Sequence, residues 1–153
     1  MSMRLKKFGE SFAFGAMAVF FAATLLTCGG CETSRLDSPE LRITLVELRS
    51  QAAQMALIAE ALLSNGATFN YFQAQLSLLG EKTEEIKQKL KNAKTKSQLR
   101  EKTSDANTFS QQINDDLIAL LASPENHQKV RATAQDLRRI VEEILQLEAT
   151  VPD

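Results

Sequence analysis

The chain has 153 residues, 18 basic and 19 acidic side chains, a net charge of −1 and 44% hydrophobic residues, with no Trp. Nothing in that balance supplies the positive excess with which a protein meets nucleic-acid phosphate. Beyond residue 31 there are one Tyr, three Phe, no Gly after Gly80 and only Pro39, Pro124 and Pro152, so the chain leans to helix by intrinsic propensity.

In chain order, Arg4, Lys6 and Lys7 give a positive start, and Phe12 to Leu26 is fifteen residues without a charge, ending at small residues and two cysteines. That order is the secretory signal pattern, and the apolar run is shorter than the roughly 20 residues a spanning helix needs. The segment Leu25-Leu26-Thr27-Cys28-Gly29-Gly30-Cys31 resembles the end of a bacterial lipoprotein signal peptide, in which small residues precede a cysteine. The resemblance covers the first fifth of the chain and implies cleavage after Gly30 with acyl chains on Cys31. Cys28 is the alternative, with Leu25 at the far position of the pattern but Leu26 and Thr27 where small residues are usual.

Glu32, rather than Asp, follows Cys31, so the resemblance implies the outer membrane of a bacterial cell envelope, facing the periplasm or the cell surface, with the inner membrane as the alternative. An uncleaved anchor and a signal cut without lipid are the rival readings. A redox role for Cys-Gly-Gly-Cys would need a strand-and-helix context that does not follow it. The expected organisation is a signal peptide over 1–30, a lipid anchor and tether over 31–37, and a helical domain over 38–150.

Ser38-Pro39-Glu40 reads as a helix start: Ser as cap, Pro in the first turn and Glu at the positive end of the dipole. Leu41, Leu45, Leu48, Ala52, Met55, Ala59 and Leu62 form an apolar seam at alternating steps of four and three, widened by Val46, Ala53, Ala56 and Leu63, and Asn65-Gly66 reads as the stop. The second seam is Phe69, Phe72, Leu76, Leu79, Thr83, Ile86, Leu90 and Ala93, with Gly80 as its one weak helix former.

Polar residues from Lys91 to Asp105 interrupt the phase, and Thr95-Lys96-Ser97-Gln98 has capping-box spacing, which predicts a turn at 94–97. The next seam is Leu99, Ala106, Phe109, Ile113, Leu117 and Leu120. Ser123-Pro124-Glu125 repeats the opening signal before Val130, Ala134, Leu137, Val141, Ile144 and Leu147, flanked by Ile140 and Leu145. Helices over 39–64, 67–94, 97–121 and 124–149 predict an all-α, antiparallel up-down four-helix bundle. The alternative is a three-helix, elongated, coiled-coil-like assembly with one long central helix.

Chemistry is thinly signalled. His127 is the sole His, and Met55, its only conceivable sulfur partner in a cofactor-binding bundle, falls about 10 Å away along the helix axes. Glu84-Glu85, Asp115-Asp116 and Glu142-Glu143 are sequence neighbours, which diverge on a helix. No catalytic triad, phosphate loop or zinc spacing occurs, so neither enzyme nor metal or cofactor site is expected.

Two contact surfaces are expected. Lys87, Lys89, Lys91, Lys94, Lys96, Arg100 and Lys102 place seven basic residues in sixteen, suited to a membrane surface if they lie at the anchored end. Asn65, Tyr71 and His127 gather at the opposite end as the candidate partner-binding group, with Phe69 and Phe72 assigned to the core. The expected function is a membrane-anchored, non-enzymatic envelope lipoprotein presenting a helical interaction or scaffold module to a protein partner, with a homo-oligomer open. A membrane-perturbing helical protein and a cofactor-binding bundle are the alternatives.

Overall fold

Asp37, rather than Ser38, caps the first helix of the computed structural model, which describes residues 35–152. The expected signal peptide, Cys28, Cys31 and the start of the expected tether lie outside the described residues. The Asp37 carboxylate accepts from the Glu40 amide at 3.0 Å, so Ser38 becomes the first helical residue and Pro39 still sits where no intrahelical amide is required. Helix α1 spans Ser38–Leu63. It ends in a two-bond C-cap: the Gly66 amide donates to the Ala61 carbonyl at 2.8 Å and the Asn65 amide to that of Leu62 at 3.1 Å. Of the two expected stop residues it is Asn65, at φ 55°, that takes the left-handed conformation.

Helix α2, Phe69–Asn92, is capped by Thr68, whose hydroxyl accepts from the Tyr71 amide at 3.3 Å. Helix α3, Arg100–Ala122, follows a single 3-10 turn at Ser97–Leu99. Helix α4, His127–Thr150, starts three residues later than expected, because a turn closed by the Asn126 amide on the Ser123 carbonyl takes up Ser123–Glu125. The Asn126 side chain then caps it, accepting from the Lys129 amide at 3.1 Å.

The break between the second and third helices is present, but a capping box does not make it. Neither the 3-10 turn nor α3 has a side-chain cap. Instead Lys94–Thr95 forms a short strand, β2, that pairs in parallel with a second, β1, at Arg35–Leu36, with Arg35 opposite Lys94 and Leu36 opposite Thr95. Residues expected in a free tether therefore belong to the folded unit, Thr33–Asp153.

The four helices form an antiparallel up-down bundle in which sequence neighbours are also spatial neighbours and α1 closes the ring against α4. Lengths of 26, 24, 23 and 24 residues make each about 35–39 Å long. Ion pairs Arg49–Glu148 at 3.1 Å and Arg138–Glu60 at 2.6 Å cross between α1 and α4.

The seams meet inside. Leu41, Leu45, Leu48, Ala52, Met55 and Ala59 are buried from α1, and Phe72, Leu76, Leu79, Ile86 and Leu90 from α2. Buried Thr44, Thr83 and Thr103 each donate to the carbonyl four residues back, at 2.8–2.9 Å, so no bundle partner is required for them. Several expectations need correction. Phe69 is 46% exposed, because it is the first residue of α2 and lies above the last packed layer. Val46 is also exposed, whereas Ile140, assigned to a flank, is fully buried. A Cβ on Gly80 would lie 2.6 Å from Leu117 Cδ2, so the glycine is where α2 and α3 approach closely, not an idle weak point of the seam.

Candidate functional site

The end of the bundle at which β1 enters α1 is also where α2 finishes, α3 begins and α4 finishes. The β1–β2 ladder pins these together, and a carbonyl clamp reinforces it: Arg42 Nη2 donates to the Val151 carbonyl at 2.6 Å. Leu36 and Val151, both outside the helices, are buried there against the core.

Onto this frame the basic run is mounted. Lys87 is held by Glu84 one turn earlier, and Lys102 Nζ donates to Thr150 Oγ1 at 2.6 Å. Lys89 is half-buried, while Lys91, Lys94, Lys96 and Arg100 stand in solvent around the α2–α3 connection. Arg35 joins them from β1, beside Lys94. Over residues 35–42, 87–105 and 147–152 nine side chains are basic and five acidic, against six basic and eleven acidic over the rest of the described bundle. The molecule is thus polarised along its axis. Arg35 carried no usable signal in the sequence, since a two-residue strand has no periodicity to read.

Asn65, Tyr71 and His127 lie at the other end, on the α1–α2 connection, the first turn of α2 and the first turn of α4. All three are exposed, and no hydrogen bond joins them. Tyr71 is 52% exposed, so about half of its surface is available to a partner. Tyr71→Ala should change stability by no more than about 0.5 kcal/mol, the scale of a surface substitution. A chemical denaturation curve checks this, and a loss of 1 kcal/mol or more would return the residue to the fold.

Met55 is enclosed in the core and His127 stands in solvent, so they do not converge. Among the described residues no group of three or more His, Cys, Asp or Glu is arranged to hold a metal ion. The neighbouring carboxylates diverge into separate contacts. Glu84 meets Lys87 and accepts from Gln88 at 2.7 Å, Asp115 accepts from Gln111 at 2.9 Å, and Glu143 accepts from Arg139 at 2.7 Å. A groove of about 780 Å³ between α2 and α3 is floored by Gly80 and Leu117 and rimmed by Glu81, Glu84 and Glu85.

Asp116 is the exception among the carboxyls. Half-buried, it is pushed up to about 6 by loss of water, with Asp136 and Asp115 adding repulsion and Arg139 opposing them. The native state then holds this proton more tightly than the unfolded chain, where the carboxyl titrates near 3.8. Its charged form therefore weakens folding above pH 6, and the penalty is relieved as pH falls from about 6 to 4. Asp116→Asn should raise stability at pH 7.5 and make no difference at pH 4, measured by denaturation at the two values. An equal change at both would locate the effect in packing.

The fold and its charge distribution define an all-α four-helix bundle whose cationic end is the end at which the chain enters from its N-terminal segment. Comparisons with known protein families, with curated proteins and with solved structures find no match to this chain.

Proposed function

We propose that this is a membrane-anchored, non-enzymatic lipoprotein of a bacterial cell envelope, whose bundle is an interaction or scaffold module standing with its cationic end against the lipid headgroups. The observation that carries the reading is the pairing of Arg35–Leu36 with Lys94–Thr95. It ties the chain that arrives from the lipobox-like segment to the very connection that holds Lys91, Lys94 and Lys96. Only three residues lie between Cys31 and Arg35, and the four steps from one to the other reach at most about 14 Å, so acyl chains on Cys31 would hold the basic end close to the bilayer.

Anionic headgroups attract each nearby Lys or Arg by about 1 kcal/mol, which adds to the hydrophobic anchoring of the acyl chains. Among the described residues no helix is long and apolar enough to cross a membrane; the attachment proposed is through lipid on Cys31 and surface charge. The opposite end, with Asn65, Tyr71 and His127, then faces away from that membrane and is the surface offered to a protein partner. The outer membrane is the destination this reading takes from Glu32, with the inner membrane as the alternative.

Mass spectrometry of the mature N-terminus tests the anchor. The expected species begins at Cys31 and carries diacylglyceryl and acyl groups. An unmodified start, or lipid on Cys28, would refute the assignment.

A further inference from the structure

Two cations stand side by side on the strand pair. Arg35 and Lys94 are register partners in the parallel ladder, so their Cα atoms lie about 4.8 Å apart, the spacing of neighbouring strands. Successive side chains of a strand leave on opposite faces. Leu36 is fully buried and Thr95 half-buried, while Arg35 and Lys94, on the other face, are both exposed. Because Thr95 is a strand residue, Lys96 leaves on the same side as Lys94, about 7 Å further along the chain. Like charges set opposite one another across a ladder repel. Among the described residues none of these three cations is in an ion pair, whereas Lys87 and Lys102 of the same basic run are engaged by Glu84 and Thr150.

From this we infer that Arg35, Lys94 and Lys96 form a cradle for a single phosphate, that of an anionic phospholipid headgroup. The inference rests on the placement proposed above, with the cationic end against the headgroups, and names the chemical group held there. Phosphate suits three converging cations better than carboxylate does. A carboxylate is planar, and one guanidinium fork matches both of its oxygens. The oxygens of a phosphate are arranged tetrahedrally, so it takes the Arg35 fork on one side and still accepts from the rotatable ammonium groups of Lys94 and Lys96 on others.

Backbone pairing, not a side-chain contact, holds Arg35 beside Lys94, so the two charges are brought together before any ligand arrives. Position selects the source of the phosphate. Arg35 follows Cys31 by four positions, and lipid on that cysteine would keep the cradle at the depth of the headgroups, where a dissolved phosphate has no advantage.

The full chain, held in micelles of an uncharged detergent, is titrated with three probes: a short-chain phosphatidylglycerol, a carboxylate amphiphile of equal charge and chain length, and inorganic phosphate. Calorimetry should show phosphatidylglycerol binding at least about tenfold more tightly than the carboxylate, and inorganic phosphate more weakly than either. Arg35→Lys keeps the charge but removes the fork, and should weaken phosphatidylglycerol binding at least about fivefold. Lys94→Gln should weaken it as well, Lys91→Arg should not, and all three variants should melt with the unsubstituted protein. Equal binding of the two amphiphiles, or indifference to Arg35→Lys, overturns the cradle and leaves a diffuse basic surface that still meets the membrane. Binding of neither amphiphile overturns the membrane placement too. A preference for the carboxylate would assign the cations to an acidic protein segment, and inorganic phosphate binding as tightly as the lipid would assign them to a dissolved ligand; either result overturns the proposal.

Discussion

Leu36→Ala should cost about 2–5 kcal/mol of stability, although the residue lies outside every helix and within the stretch that reads as a tether. The side chain is fully buried and belongs to the hydrophobic core, and truncating a buried leucine removes its transfer energy and leaves a cavity that collapses only in part. A second loss is added here. Leu36 faces Thr95 in the two-residue ladder, and that ladder holds the α2–α3 connection, where neither helix start has a side-chain cap. Equilibrium denaturation of the protein from Thr33 to Asp153, the whole compact unit, is the measurement. Arg35→Ala, exposed one residue earlier, is the control and should stay within about 0.5 kcal/mol. If both variants behave alike, the strand pair is ornamental and the bundle is complete from Ser38 onward.

The second large effect is on membranes. The same protein, lacking any lipid, should bind vesicles containing anionic lipid and should ignore neutral ones. Changing Lys91, Lys94 and Lys96 together to Glu should weaken that binding by at least about 100-fold. At about 1 kcal/mol per basic residue near the surface, losing three removes about 3 kcal/mol, and each tenfold is about 1.4 kcal/mol; reversing the sign adds repulsion. All three side chains are exposed, so their replacement should leave the melting temperature nearly unchanged. Raising salt should imitate the substitution, because the screening length is about 10 Å at 0.1 M and about 3 Å at 1 M. Equal binding by the two proteins would make the basic run a solvated helix end. Starting the chain at Ser38 would be a poor test, since it removes β1 and with it the ladder on the basic connection.

The all-α bundle, its four helices and nearly all of its core were legible in the residues, because a helix buries one face and the apolar side chains must recur at its period. Leu45, Leu48 and Met55, or Leu137 and Ile144, could take no other inward course once the chain was helical. The basic run was equally plain, as charge can be read without a fold. Errors gathered where the period stops. Ser38 and Ser123 are good caps in isolation, but Asp37 and Asn126 had the geometry to reach the free amides. Phe69 has seam spacing yet lies past the last layer.

An up-down bundle already puts the basic α2–α3 connection at the end where α1 begins; that the entering chain is pinned to that connection by a strand pair was decided by tertiary structure alone. A parallel pairing of Arg35–Leu36 with Lys94–Thr95 joins segments about sixty residues apart, and no local pattern in either stretch announces it. The same holds for Gly80, whose lack of a side chain has a use only because Leu117 stands opposite. Ile43, Val46 and Leu57 could be read as apolar in the sequence, but only the packing of the other three helices showed that they are left exposed on α1. Periodicity states how wide an apolar face is, and the neighbours determine how much of it remains in water.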